Sequence, residues 1–283
     1  MKDYFGYAGQ TCVVTGAASG MGRATCEMLI DLGAEVYALD VAEVTLPVKK
    51  FIKCNLGDKA SIDAAFQELP QEIDKFFGIA GVSGVVTDFK TTVMINFIGN
   101  KYITEEYLAK RVKSGGAIAY MASLGGRGWL ETREEFKDVI DAKTWGESVS
   151  SLDVVDALVA QKGYGKAVGL QGYRMSKRMM IYFSKKIIQE FAKKDIRVNV
   201  VNPGQTQTQL TDEWATLLTV EQMRGSQDGV TRAAVPMEMA GPIVFANSDM
   251  ATYMSGVDIF VDYGQMGMSQ YFNPDEKPGL ISY

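Results

Sequence analysis

Short runs of β-branched and apolar residues alternate with longer helical patterns from one end of the chain to the other. Parallel strands need a crossover connection, usually a helix, so this alternation predicts βα units and a parallel sheet covered by helices on both faces. The candidate strands span residues 11–15, 35–39, 51–54, 76–80, 117–121, 198–201 and 257–261. We therefore predict an α/β fold with a doubly wound, seven-stranded parallel sheet.

The helical patterns between these strands favour a single domain that spans residues 1–283. Residues 21–32 and 173–194 have the apolar spacing of amphipathic helices. Residues 127–165 break the alternation and contain two helix candidates, near 131–144 and 148–161. This segment is too short to bury a core of its own, so we predict a helical insertion rather than a second domain.

Composition and charge exclude several classes of function. Apolar residues make up 47% and charged residues 22% of the chain, as in ordinary globular proteins. The net charge is −5 and no basic block stands out, which argues against binding to nucleic acid or anionic membranes and favours small-molecule partners. The chain has no histidine, which excludes histidine-based catalysis and the commonest zinc sites, so we expect no metal.

The three cysteines, Cys12, Cys26 and Cys54, are widely spaced in apolar surroundings. This pattern predicts buried, reduced thiols and neither a disulfide framework nor a metal cluster. The sequence has no apolar stretch typical of a signal peptide and no apolar run as long as a membrane span. We therefore expect a cytoplasmic protein.

A glycine-rich segment, residues 15–22 with the sequence TGAASGMG, lies between the first predicted strand and the first predicted helix. Such glycines allow a tight turn, so that a pyrophosphate can bind the N–H groups at the positive end of the helix. Asp40 ends the second strand, 18 residues after Gly22, where a carboxylate accepts hydrogen bonds from ribose hydroxyls and repels a 2′-phosphate. The pattern predicts a dinucleotide site that favours NAD(H) over NADP(H).

With these motifs, the chain resembles the short-chain dehydrogenase/reductase family over nearly its whole length except the insertion. Asn55-Leu56 stands where the family contacts adenine, and Ile79-Ala80-Gly81 stands at the family's Asn-Ala-Gly site. The resemblance implies a Rossmann-like fold and an NAD-dependent enzyme. The cofactor-binding residues that it implies are Gly16, Ser19, Gly20, Met21, Gly22, Asp40, Asn55, Leu56, Ala80, Gly81, Tyr173, Lys177, Pro203, Gly204, Thr206 and Thr208.

The family's catalytic tetrad matches Asn96, Ser123, Tyr173 and Lys177. The Tyr-x-x-x-Lys spacing puts both side chains on one face of a helix. The resemblance implies that Tyr173 is the general acid/base and that Lys177 lowers its pKa and holds the nicotinamide ribose. By the same resemblance, Ser123 orients the substrate oxygen and Asn96 maintains a water relay to Lys177.

A second pair, Tyr182 and Lys186, has the same spacing as the predicted catalytic pair. At about 100° per residue it faces the opposite side of the same helix, so only one pair can face a cofactor. The order of motifs favours the pair that begins with Tyr173, because Pro203 follows it at the family's distance. In the Pro-Gly segment that starts there, Thr208 best matches the threonine that holds the nicotinamide carboxamide, and Thr206 is the competitor.

The three tryptophans, Trp129, Trp145 and Trp214, lie in the insertion and in the segment after Pro203. Both segments leave the carboxyl ends of predicted strands, so the indoles either line a cleft for a bulky apolar substrate or pin the segments to the body. With Ser123 and Tyr173, the tryptophans are the predicted substrate-binding residues.

The insertion resembles the bacterial branch of the family that contains 3α-hydroxysteroid dehydrogenase/carbonyl reductase and, more distantly, coniferyl-alcohol dehydrogenase. This favours NAD(H)-dependent interconversion of a secondary alcohol and a ketone, with a hydroxysteroid or bile acid as substrate. The alternatives are an aromatic alcohol dehydrogenase and a non-catalytic dinucleotide-binding sensor. We also expect a homo-oligomer, a dimer or a tetramer, because the family usually associates and the closing strand would otherwise be a sheet edge.

Overall fold

The computed structural model describes residues 3–219 and 232–272. Its strands are β1 (Thr11–Thr15), β2 (Glu35–Asp40), β3 (Lys50–Lys53), β4 (Ile73–Gly78), β5 (Val112–Met121), β6 (Arg197–Pro203) and β7 (Asp258–Val261). They form one parallel sheet in the order β3-β2-β1-β4-β5-β6-β7. The order reverses direction at β1, which confirms the predicted doubly wound, Rossmann-like sheet of seven strands.

Helices cover both faces of this sheet. They are α1 (Gly20–Asp31), α2 (Lys59–Gln67), α3 (Phe89–Val93), α4 (Gly99–Ile103), α5 (Ala109–Arg111), α6 (Lys137–Asp141), α7 (Trp145–Ala160), α8 (Val168–Ala192), α9 (Gln209–Ala215), α10 (Pro236–Asn247) and α11 (Gln265–Phe272). Two π-helical segments, Met94–Ile98 and Thr104–Leu108, join α3, α4 and α5 into one helical run. Within the residues described, no helix is both long and apolar enough to cross a bilayer.

Successive side chains of each central strand enter different cores. Cys12 and Val14 of β1 point to the layer under α1 and α10, whereas Val13 points to the layer under α2, the 89–111 run and α8. This alternation follows from the two-residue period of a strand that is buried on both faces. Burial raises the pKa of the Cys26 and Cys54 thiols to about 12, so these cysteines are protonated core residues.

Helix α8 begins at Val168, so Tyr173 lies inside the helix instead of beginning it as predicted. Glycines obscured this start, because glycine is a poor helix former in an isolated sequence. A Cβ at Gly169 would lie 2.1 Å from the carbonyl oxygen of Gly84, and one at Gly172 would lie 2.8 Å from that of Phe89. The glycines therefore allow α8 to approach the neighbouring backbone closely.

The predicted insertion is helical, but its first helix is shorter than the pattern 131–144 indicated. A single 3-10 turn, Arg133–Glu135, precedes the short helix α6, and α7 covers most of the second prediction. Phe136, Ile140 and Leu152 are fully buried in the core layer shared with α8. The insertion is thus packed on the body of the domain.

Candidate active site

A cleft of about 730 Å³ opens at the carboxyl ends of the strands. Residues at or just after the ends of β1, β2, β4, β5 and β6 line it, where ligands bind in open parallel sheets. The structure brings every residue predicted to bind the cofactor to this one cleft. Ser123, Tyr173, Lys177 and Trp214 line it as well, whereas Trp129 and Trp145 do not.

The glycine turn has no room for a side chain at Gly16 or Gly22. Gly16 and Gly20 adopt φ angles of 72° and 51°, in the left-handed region that favours glycine. A Cβ at Gly22 would lie 1.9 Å from the carbonyl oxygen of Gly16, and a Cβ at Gly16 would lie 2.7 Å from Cα of Ala80. The turn therefore brings bare backbone to the cleft at the positive end of α1, which fits a pyrophosphate.

Asp40 is fixed at the end of β2 by two backbone donors. Its Oδ2 accepts a hydrogen bond from the N–H of Ala18 at 2.9 Å, and its Oδ1 accepts one from the N–H of Ala42 at 2.9 Å. Each carboxylate oxygen keeps a second lone pair for a ligand hydroxyl. Asn55 and Leu56 line the cleft just after β3, the strand next to β2. They therefore lie at the same end of the cleft as Asp40.

Tyr173 and Ser123 lie side by side in the cleft. Burial raises the pKa of Tyr173 to about 12, and a hydrogen bond with Ser123 opposes this increase. The Ser123 hydroxyl also accepts a hydrogen bond from the N–H of Gly125 at 3.0 Å. A Cβ at Gly125 would lie 3.5 Å from both Ser123 Oγ and Tyr173 Cε1, so this glycine sits directly against the pair.

Lys177 lies one helical turn after Tyr173 and is 5% exposed. Its Nζ donates a hydrogen bond to the carbonyl of Met121 at 2.8 Å and lies 5.5 Å from the centroid of the Tyr173 ring. Burial lowers the pKa of Lys177 to about 8, so the ammonium form still predominates at neutral pH. A cation at this distance favours the phenolate form of Tyr173, as the predicted acid/base role requires.

Asn96 lies behind this pair, in the π-helical segment Met94–Ile98. Its Oδ1 accepts from the N–H of Val82 at 2.7 Å, and its Nδ2 donates to the carbonyl of Val82 at 3.0 Å and to Ser176 Oγ at 3.2 Å. A Cβ at Gly81 would lie 3.3 Å from Asn96 Oδ1 and 3.6 Å from Lys177 Nζ, so the two tetrad residues flank that glycine. The Asn96 side chain braces the segment after β4 against α8.

Thr15 supports the Ile79-Ala80-Gly81 segment, a role that sequence analysis missed. Its Oγ1 accepts hydrogen bonds from the N–H groups of Ile79 at 3.1 Å and Ala80 at 3.2 Å. The end of β1 thus holds the end of β4 where this chain lacks the family's asparagine. The only local signal was the position of Thr15 at the end of a buried strand.

The segment after β6 packs across the glycine turn. Thr208 is the N-cap residue that precedes α9, and a Cβ at Gly20 would lie 3.4 Å from its Cγ2. Thr206 is 4% exposed, and its hydroxyl donates to the carbonyl of Gly204 at 3.1 Å. Both threonines line the cleft, and Thr208 lies beside the turn that would hold the pyrophosphate.

The three tryptophans have different surroundings. The Trp214 ring packs edge-on against the Tyr173 ring, with centroids 4.9 Å apart at 77°. The Trp129 centroid lies 6.0 Å from that of Tyr182, and the Trp145 centroid lies 5.4 Å from that of Tyr102. Trp129 and Trp145 therefore pin the insertion to the body, and the expectation that they line the substrate cleft is not met.

The competing pair, Tyr182 and Lys186, faces the insertion. Tyr182 packs against Trp129 and Phe136, and Lys186 Nζ donates to Asp141 Oδ1 at 2.7 Å and to the carbonyl of Ile140 at 2.9 Å. These contacts hold the carboxyl end of α6, where a cation is favourable.

The polar residues of the cleft that were not predicted from the sequence include Arg127, Arg174 and Glu213, and Ser83 lies next to the lining residue Val82. Each lies within four residues of a predicted site residue or of the Ala80-Gly81 segment, but residue type alone gave no reason to select it. Ser83 does not line the cleft itself, but its Oγ donates to Oε2 of Glu213, which does.

Comparison with known proteins agrees with this geometry. Residues 10–132 match the family model described as short chain dehydrogenase, and residues 154–266 match the model described as Enoyl-(Acyl carrier protein) reductase. The coniferyl-alcohol dehydrogenase of Pseudomonas sp. (strain HR199 / DSM 7063) is 30% identical over 89% of this chain and 94% of its own. The chain belongs to the short-chain dehydrogenase/reductase family. Members of this family are oxidoreductases that use a nicotinamide dinucleotide. The cleft of this chain fits that cofactor.

Two further proteins are similar to this chain at lower sequence identity. A 3-oxoacyl-[acyl-carrier-protein] reductase of Aquifex aeolicus (strain VF5) is 24% identical over 90% of this chain and 97% of its own. Among solved structures, the 3-alpha-hydroxysteroid dehydrogenase from Pseudomonas sp. B-0831, complexed with NADH, superimposes with a TM-score of 0.72. It is 21% identical, with 94% of this chain and 99% of that chain covered, so this comparison supports the fold.

Proposed function

We propose that this short-chain dehydrogenase/reductase interconverts a secondary alcohol and a ketone with NAD(H), and that its substrate is a hydroxysteroid or a similarly bulky ring compound. The half-buried Ser123 and the buried Tyr173 and Lys177 lie together in a dinucleotide-sized cleft, and this group carries the proposal. The half-buried indole of Trp214 adds an apolar wall beside Tyr173, as a ring-shaped substrate requires.

The chain's own residues account for the proton side of this reaction. A bound nicotinamide dinucleotide would accept or supply the hydride. Tyr173 Oη takes the proton from the substrate hydroxyl during oxidation and returns it during reduction. Ser123 Oγ donates a hydrogen bond to the substrate oxygen, and the Lys177 ammonium favours the phenolate form of Tyr173.

The substrate proposal is tested with a panel of hydroxysteroids and aromatic alcohols, with turnover followed by NADH absorbance. Hydroxysteroids are expected to have the highest kcat/KM. The aromatic-alcohol alternative is favoured by the 30% identical coniferyl-alcohol dehydrogenase and predicts the opposite ranking. If NADH binds but no alcohol or ketone in the panel turns over, the sensor alternative replaces both.

We propose NAD(H) rather than NADP(H) because the Asp40 carboxylate is held in place by Ala18 and Ala42 at the ribose end of the cleft. A 2′-phosphate there would meet a fixed negative charge. The test compares kcat/KM for the two cofactors in the natural protein and in Asp40→Ala. We expect the substitution to narrow the preference for NAD(H) by about tenfold, which corresponds to about 1.4 kcal/mol. A natural preference for NADP(H) would overturn the assignment.

We also propose that two or more copies of the chain associate. Among the described residues, β7 pairs only with β6 and forms one edge of the sheet, where Phe260 is 45% exposed and Tyr263 is 80% exposed. Exposed aromatic side chains beside a free edge favour association with a second copy. Light scattering at micromolar concentration tests this, and a mass near the monomer value of 31.0 kDa would refute association.

A further inference from the structure

The two rims of the cleft meet beside Tyr173. One rim is the segment 82–86 after β4, and the other is α9, which follows the Pro203–Thr208 segment. Ser83 on the first rim is fully buried, and Glu213 and Trp214 on the second are half-buried. Two consecutive residues of α9, Glu213 and Trp214, are hydrogen-bonded to Ser83.

Two hydrogen bonds join these rims. Ser83 Oγ donates to Glu213 Oε2, and the indole Nε1 of Trp214 donates to the carbonyl of Ser83 at 3.1 Å. The Ser83 hydroxyl accepts from the N–H of Val85 at 3.1 Å, which leaves its proton directed at the carboxylate. Gln209 Nε2 donates to Glu213 Oε1 at 3.1 Å, so both carboxylate oxygens are oriented.

The rim that carries Ser83 is fixed to the body of the domain. The Asn96 side chain bonds both the N–H and the carbonyl of Val82. Gly84, at a φ of 78°, packs so closely on α8 that a Cβ there would lie 2.1 Å from the Gly169 carbonyl oxygen. The Ser83 contacts therefore attach α9 to a segment that is itself held by Asn96 and by close packing on α8.

The position of Trp214 depends on these bonds. Its ring packs edge-on against Tyr173, with centroids 4.9 Å apart, while its N–H is bonded to Ser83. The backbone of Tyr173 belongs to α8, and its hydroxyl is hydrogen-bonded with Ser123, which lies outside α9. Loss of the Ser83 contacts would therefore move the indole wall without moving the acid/base group.

We propose that Ser83, Glu213 and Trp214 form a latch that sets the substrate wall of the active site. Ser83 and Glu213 are positioning residues, and Trp214 is the residue whose indole contacts the substrate ring. This inference rests on the proposed function, because it assigns the wall of the same cleft. It predicts that the latch determines how well a bulky ring substrate binds, while proton transfer depends on Tyr173.

The kinetic test uses Glu213→Ala, Ser83→Ala and the double variant. Each single variant is expected to raise KM for the best ring substrate about tenfold, as for loss of a charge-assisted hydrogen bond, and to change kcat much less. The double variant is expected to match the single variants, because all three lack the same bond. Glu213→Gln keeps an acceptor oxygen and is expected to recover part of the loss.

The matched control is Asp212→Ala, which removes the exposed carboxylate next to Glu213 on the same helix. It is expected to have the natural KM and kcat. Circular dichroism shows whether each variant is folded. The proposal is overturned if Glu213→Ala and Ser83→Ala have the KM of Asp212→Ala, or if their effects multiply in the double variant.

Tryptophan fluorescence tests the latch without any turnover. Replacing Trp129 and Trp145 by Phe leaves Trp214 as the single tryptophan of the chain. In that background, Glu213→Ala is expected to shift the emission to longer wavelength and to increase quenching by acrylamide, relative to Asp212→Ala. If the background does not fold, the same comparison is made with the natural tryptophans. Identical spectra would refute the latch, even if the panel had already refuted the substrate.

Discussion

Replacing Lys177 by methionine is expected to abolish turnover and yet stabilise the protein in the absence of cofactor. Burial lowers the pKa of Lys177 from its ordinary 10.5 to about 8. This depression corresponds to about 3 kcal/mol of destabilisation by the charged form. Methionine has a similar length and no charge, but it loses the hydrogen bond to the Met121 carbonyl, worth about 1 kcal/mol.

The net expectation for Lys177→Met is therefore a gain of about 2 kcal/mol in the free energy of unfolding at pH 7. In a chain of this size that gain raises the melting temperature by about 4 °C or more. Thermal unfolding without cofactor measures it. The control is Lys193→Met, which removes an exposed lysine just after α8 and is expected to leave the melting temperature unchanged.

The destabilisation that the Lys177 ammonium causes depends on pH in a defined direction. The folded-state pKa of Lys177 lies below its unfolded value, so its destabilisation is fully present below about pH 8 and disappears as the pH rises toward 10.5. The natural protein should therefore approach the stability of Lys177→Met between pH 8 and 10.5. A variant that is less stable at pH 7, by an amount that stays constant up to pH 10.5, would refute the assignment of a buried ammonium.

Two further substitutions test the turn and the insertion. Gly22→Ala is expected to abolish NADH binding, because its Cβ would lie 1.9 Å from the Gly16 carbonyl oxygen. Titration of NADH fluorescence measures the affinity, and an unchanged affinity would contradict a tightly packed turn. Phe136→Ala is expected to lower the free energy of unfolding by about 3–5 kcal/mol, since the ring is 1% exposed, and urea denaturation measures this. A loss under about 1 kcal/mol would show that the insertion is not part of the core.

The sequence predicted those parts of the fold and site that depend on local pattern. Strand β1 and the glycine turn matched because an apolar run, a tight turn and a helix follow one another directly. The Tyr173 and Lys177 pair matched because helical spacing puts both side chains on one face and the order of motifs distinguishes this pair from Tyr182 and Lys186. Asp40 was found in the same way, as the last residue of an apolar strand.

The remaining features depend on contacts between distant segments. The direction in which the insertion packs, which takes Trp129 and Trp145 away from the cleft, is set by Tyr182 and Tyr102 on other helices. The start of α8 was hidden because Gly169 serves close packing rather than helix termination. The role of Ser83 was not predicted for the same reason, since its hydrogen-bond partner Glu213 lies 130 residues later in the chain.

A comparison of Tyr173→Phe with Tyr182→Phe tests the central claim, that Tyr173 is the acid/base group of this enzyme. Tyr173→Phe removes the proton-carrying oxygen and little else, so we expect turnover to fall by about a thousandfold or more while NADH binding stays near the natural affinity. Tyr182→Phe keeps the ring that packs against Trp129 and is expected to retain nearly full turnover. Turnover that survives in Tyr173→Phe, or that falls further in Tyr182→Phe, would contradict the assignment.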